Sequence, residues 1–120
     1  MLRKFKIDYD QENDSLFLYR GKSRGSIEFG NFIFDFDVQN ELVGIEILNA
    51  SSMLQDLDIA ENVKISKKML AQILQCMIDV KIRDNLLVLK VYLYLENDMK
   101  IIAPIQIPTI VEHSPLAAEV

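Results

Sequence analysis

The stretch IEFGNFIFDFDVQNELVGIEIL, residues 27–48, decides how this chain is read. Its apolar side chains recur at every second position: Phe32, Phe34 and Phe36 before a polar break, Val43, Ile45 and Ile47 after it. Period-two alternation marks a strand with one buried face. If residues 38–41 form the turn, Asp37 faces Leu42, Phe36 faces Val43, Phe34 faces Ile45 and Phe32 faces Ile47. One face is then wholly apolar, and Ile33, Asp35, Asp37, Leu42, Gly44 and Glu46 share the other. A slip of one residue would mix the two faces, so this register is the expected one. Asn40 tolerates a left-handed backbone in the turn. Upstream, Gly30-Asn31 reads as a bulge or kink inside one extended segment, residues 27–37.

The same letters scan as a calcium loop. Asp35, Asp37 and Glu46 fall at the first, third and twelfth positions of D-x-[DN]-x-[DN]-G-x5-E. Gln39 and Asn40, however, stand where a ligand and the turn glycine belong. A calcium loop of this kind lies between two helices, and here both flanks have strand composition. A looser reading survives, in which Asp35, Asp37 and Glu46 hold a divalent ion from one polar face. The competing reading is a solvated face.

Outward from this hairpin the pattern continues. Phe5, Ile7 and Tyr9 alternate with polar residues, QEND (11–14) turns the chain, and LFLYR (16–20) returns it. RGKSRG (20–25) is a second turn, so residues 5–54 form a four-stranded meander unit. NASS (49–52) offers caps for a short helix. Ser66 caps a clearer helix, KKMLAQILQCM (67–77), in which Met69, Leu70, Ile73, Leu74 and Met77 share one face. Ile78, Val80 and Ile82 then alternate with charges, and Asp84-Asn85 turns the chain. Residues 86–95 are apolar at nearly every position, as in a central strand covered on both faces. Residues 99–108 carry Pro104 and Pro108, which fit an edge strand because proline cannot donate to a ladder. The expected class is α+β: an antiparallel meander, one or two helices, then about three antiparallel strands. The expected layout is a single domain, 1–120, with a helix-plus-β extension over 55–110 and a loose tail over 111–120.

Bulk properties bound the function. A chain of 120 residues, half of them hydrophobic, can bury a core without staples. It has no apolar run of membrane-spanning length, and its basic start is followed by no apolar signal segment. Membrane and cofactor partners are not expected. One cysteine, Cys76, excludes an internal disulfide and a cysteine-rich metal site. A cytoplasmic location is expected. The net charge of −5 argues against nucleic acid, which is held chiefly by Lys and Arg on phosphates.

Few residues look catalytic. His113, the lone histidine, sits in the tail beside Glu112 and Ser114, where a solvent-exposed side chain outweighs a positioned base. Cys76 reads as a buried, inert thiol rather than a nucleophile. GKS (21–23) resembles the end of a phosphate loop but lacks the upstream glycine, with Leu16 in its place, and a following helix; it reads as a hairpin turn. NVKISKKML (62–70) is only faintly similar to the strand–helix element of swapped-hairpin DNA-binding regulators. No catalytic residue is assigned.

IDYDQENDSLFLY and FDFDVQNELVGIEILNAS together resemble domain-of-unknown-function family 2283 over about residues 5–54. Tyr9, Asp10, Asp14, Leu16, Asp35, Asp37, Leu42–Leu48 and Ala50 carry the resemblance, with VGIEIL its most specific part. Asn40 replaces a usual turn glycine and Phe17 a usual tyrosine; the C-terminal half is unmatched. The resemblance implies a small antiparallel β unit with no established activity. It also implies an antitoxin-like, partner-binding role, since some members are thought to be encoded beside small toxin candidates. The expected function is therefore a non-catalytic interaction or regulatory module that binds a protein partner or a second copy. A meander would place the acidic turns (Asp10, Glu12, Asp14; Asp37, Glu41) at one end and the basic turn (Arg20, Lys22, Arg24) at the other.

Overall fold

A computed structural model describes residues 1–108. The tail beyond them, with His113, lies outside the described residues. The elements in chain order are β1 (Leu2–Asp10), β2 (Ser15–Tyr19), β3 (Gly25–Phe29), β4 (Phe32–Phe36), β5 (Leu42–Ile47), α1 (Ala50–Leu57), α2 (Lys67–Leu70), β6 (Gln75–Arg83), β7 (Leu86–Tyr94) and β8 (Lys100–Pro108). All strand pairs are antiparallel, in one sheet ordered β3-β4-β5-β2-β1-β6-β7-β8. Over the described residues the chain is mostly β, with two short helices.

The meander is the main correction. Gly30, at φ +60°, and Asn31 do not kink one strand; they form a two-residue turn that pairs Phe29 with Phe32. Glycine admits the positive φ such a hairpin loop requires. The extra strand reorders this unit, and β5, not β3, lies beside β2. The GKS segment is accordingly no hairpin turn. It carries the chain across the end of the β4–β5 hairpin, with the Arg20 amide donating to the Val43 carbonyl (2.8 Å) and the Arg24 amide to the Phe36 carbonyl (2.8 Å). The turn 37–41 therefore lies at the end where β2 finishes, beside the Arg20 segment, and the expected acidic end and basic end do not exist.

The quoted hairpin keeps its expected register over Phe32↔Ile47 and Phe34↔Ile45. It departs from it at the turn, where Phe36 pairs with Leu42 and Val43 is bulged out of step. Asn40 takes φ +60°, as its residue type allows.

The helix expected over 67–77 stops at Leu70. Ser66 does cap it, its hydroxyl accepting from the Met69 amide (3.2 Å). Beyond it, the alternation Cys76, Ile78, Val80, Ile82 governs, and residues from Gln75 onward join β6. Leu74, expected on the apolar helix face, is 65% exposed. Residues 62–66 form no strand, so the swapped-hairpin element is absent. β7 lies between β6 and β8, but only Leu87, Leu89, Val91 and Leu93 are buried; its other side faces outward. Its apolar run reflects the half-buried Val88 and Tyr92 rather than cover on both faces.

One core joins both halves of the sheet, with Phe5, Leu18, Phe34 and Ile45 from one and Ile78, Leu89, Val91 and Ala103 from the other. β1 belongs to both. Leu2 to Phe5 pair with β6, and Lys6 to Asp10 pair with β2. Leu54 of α1 and Leu70 of α2 pack into this core at the end where the β1–β2 turn lies.

β8 is an edge strand, as expected, and it is guarded. Asp58 accepts from the Ile102 amide (3.0 Å), the Ile59 amide donates to the Ile102 carbonyl (2.9 Å), and Asn62 Nδ2 donates to the Lys100 carbonyl (2.7 Å). Pro104 and Pro108 occupy further positions of the same outward parity, where an unpaired N–H would otherwise be offered to another strand. The opposite edge, β3, is only five residues long.

Candidate functional site

The three carboxylates of the quoted hairpin are not gathered into a site. Asp37 folds into its own turn and accepts from the Gln39 amide (2.9 Å) and the Glu41 amide (3.0 Å). Asp35 accepts from the Ser26 hydroxyl on β3 and lies over Gly44. A Cβ at Gly44 would stand 2.7 Å from Asp35 Oδ2, so a larger residue opposite Asp35 would have to push its carboxylate aside. Glu46 accepts from the Ser15 hydroxyl (3.3 Å) on its other side. Among the described residues no group of three or more His, Cys, Asp or Glu is placed to hold a metal ion.

The sequence reading missed the role of Asp14. Among the described residues it is the one buried charged side chain. It closes the β1–β2 turn with φ 52°. Its backbone carbonyl accepts from the Ala50 amide (2.9 Å) and its carboxylate from the Ser51 amide (3.1 Å), the Ser51 hydroxyl (2.6 Å) and the Tyr9 hydroxyl (2.7 Å). Asn49, which precedes α1, makes no side-chain cap bond. Asp14 therefore caps α1 from a distant turn and sets an anion against the helix start, where unpaired amides and the dipole favour it. Burial pushes the Asp14 carboxyl up. The Ser51 and Tyr9 hydroxyls, the Ser51 amide and the Lys67 charge outweigh burial and hold it below its ordinary value. Burial first, then the bond to Asp14, pushes the Tyr9 hydroxyl well above the usual tyrosine range, so it stays a donor. Asp58 behaves alike: burial pushes it up, but the Ile102, Ala60 and Asn62 amides win and lower it. These are structural clamps. Cys76 is fully buried, and burial pushes its thiol up to about 12, which leaves it unreactive at neutral pH.

What the register does assemble is a division of charge. The outward face of β1's second half and β2–β5 carries Asp8, Asp10, Glu28, Asp35 and Glu46 against Lys6. The outward face of β1's start and β6–β8 carries Lys4, Lys81, Arg83, Lys90 and Lys100 against Asp79. Each has a stacked aromatic pair toward the end of one strand: Phe17–Tyr19, with centroids 4.9 Å apart, on the acidic face, and Tyr92–Tyr94, 6.5 Å apart, on the basic one. The whole-chain charge conceals both. The signal lay in the alternating positions of each strand, but the strand order was needed to sum them.

Fold and site together define a guarded antiparallel β protein with oppositely charged outer faces. Residues 6–51 match the family described as "Protein of unknown function (DUF2283)". The matched segment opens where β1 exchanges β6 for β2 and closes on Ser51, the last partner of Asp14. Two relatives match part of the chain. An uncharacterised protein of Methanocaldococcus jannaschii is 48% identical over 52 residues, 42% of this chain and 45% of its own length. A Methanosarcina mazei protein named "Putative hypoxanthine phosphoribosyltransferase" is 45% identical over 49 residues, 39% of this chain and 40% of its own. The match thus spans less than half of each relative, and that name belongs to the Methanosarcina protein. No solved structure matches the chain. No helix among the described residues is long and apolar enough to cross a membrane.

Proposed function

We propose that this chain is a non-catalytic interaction module that associates with further copies of itself, the basic face of one against the acidic face of the next. The division of charge between the two outer faces carries this reading. Complementary potentials steer encounter and fix orientation more than they add affinity. A contact between two different faces is heterologous, so it grows into rings or open chains rather than a closed pair. The guarded β8 edge favours faces over strand addition as the means of contact. The reading puts the module in the cytoplasm, where its one thiol stays reduced.

Sedimentation velocity tests it. Assemblies are expected at about 10 mM salt and single chains at about 1 M, as the screening length falls from about 30 Å to about 3 Å. Lys81→Gln with Lys90→Gln should give monomers, as should Asp8→Asn with Glu28→Gln. Mixing those two variants should restore contact between their intact faces and stop at one-to-one pairs. Single chains at both ionic strengths, or association indifferent to salt, would overturn the proposal.

A further inference from the structure

The helices fill one end of the core; the other end opens as a cleft of about 320 Å³. Its walls are inward-facing side chains from the ends of strands in both halves: Phe36 and Leu42 on one side, Val80, Ile82 and Leu87 on the other. Two arginines reach it. Arg20 is held by the fold, its Nη1 donating to the Leu42 carbonyl (3.3 Å) and its guanidinium 6.0 Å from the Phe5 ring centroid. The side chain of Arg3, also on the core-facing side of β1, makes no hydrogen bond or ion pair among the described residues. Among the described residues Glu41 is the one acid at the rim. A guanidinium pointed into an apolar cleft without a counter-ion is an uncompensated cost, and a bound anion removes it.

We propose that this cleft binds a small amphipathic anion: an apolar body seated between Phe36, Leu42, Val80 and Leu87, and a carboxylate held by Arg3 and Arg20. The volume lies at the lower end of the range for small-molecule sites, which favours a short body. Mouths of β structures, lined by apolar walls with a few polar groups, are common places for such sites. The two outer faces take no part, so this inference stands apart from self-association.

The test is an amide and arginine-side-chain NMR titration of the 120-residue chain at high salt, with octanoate and, as neutral control, 1-octanol. Octanoate is expected to shift Arg3, Arg20, Leu42, Val80 and Ile82 saturably, and to bind at least about tenfold more tightly than octanol. Arg3→Gln should weaken octanoate about tenfold, leave octanol unchanged and leave resonances far from the cleft in place. Glu41→Gln, which removes the rim repulsion, should tighten octanoate severalfold. Octyl phosphate distinguishes the head group: binding tighter than octanoate would overturn the carboxylate assignment. Equal affinity for octanoate and octanol, shifts centred elsewhere, or no saturable shift up to the solubility limit would overturn the site.

Discussion

The two halves of this sheet solve one problem by different means. β1's second half and β2–β5 use short strands joined by turns that need particular residues: left-handed Asp14 and Asn40, a positive-φ Gly30, a glycine beneath Asp35. β6, β7 and β8 are nine residues each, paired in unbroken register, and held by repetitive aliphatic burial. The turns of the second half are left-handed too, at Asp84, Asn97 and Asp98, but the first half adds polar side-chain contacts, Tyr9–Asp14–Ser51 and Ser26–Asp35, where the second relies on pattern. Many sequences satisfy a pattern, whereas few satisfy a set of named contacts. The family match covers the first half alone.

That contrast breaks most visibly at Asp14. Asp14→Ala strands the Tyr9 hydroxyl and the Ser51 amide and puts alanine at a left-handed φ. It should cost about 3 kcal/mol by urea unfolding. A volume-conserving change in the other half, Leu89→Met, should cost under about 1.5 kcal/mol. Equal losses would erase the distinction. Asp58→Ala, which frees the loop from the edge of β8, should cost about 2 kcal/mol and raise aggregation, read by light scattering.

Acid sharpens the comparison. Asp14 and Asp58 are both lowered when folded. Their stabilisation is complete above the ordinary carboxylate range, near pH 4, and is lost as pH falls through the depressed folded values. Stability should thus be flat from neutrality to about pH 5 as far as these groups act, then fall. Asp14→Asn should be less stable at neutral pH and flatter below about pH 4. Gly44→Ala, which meets the Asp35 carboxylate, should cost about 1–2 kcal/mol, with much of that relieved when Asp35→Ser is added.

Most of the strands were legible, because they follow a period of two; β7, apolar at nearly every position, was legible from its valines and tyrosines. Their neighbours were not. Gly30-Asn31 between Phe29 and Phe32 is a hairpin dipeptide, and reading it as a kink merged two strands and put the merged strand beside β2, where β5 lies. Residues 69–77 satisfy both a helical and a strand period, and only the pairing with β1 and β7 decides between them. Asp14 carries no local signal of its role, since Ser51 is brought to it by the fold; the resemblance marked Asp14 and Ala50 without saying why. The carboxylates of 35–46 looked like chemistry because a polar strand face and a ligand loop draw on the same residue types. The charged faces and the cleft both depend on strand order.

β1 also sets an order of events. Its second half can pair with β2 as soon as the ribosome has released the first fifth of the chain, and the unit through α1 soon after. Leu2 to Phe5 have no partner until Cys76 to Asp79 have been made. A nascent or truncated chain ending before β6 therefore leaves the shared core half-built, with a bare, partly apolar strand at its border, open to any other unfinished copy. Joining that strand to β6 is the longest-range closure in the sheet. Such non-local pairing is slow to form, so it is the step at which synthesis and aggregation compete.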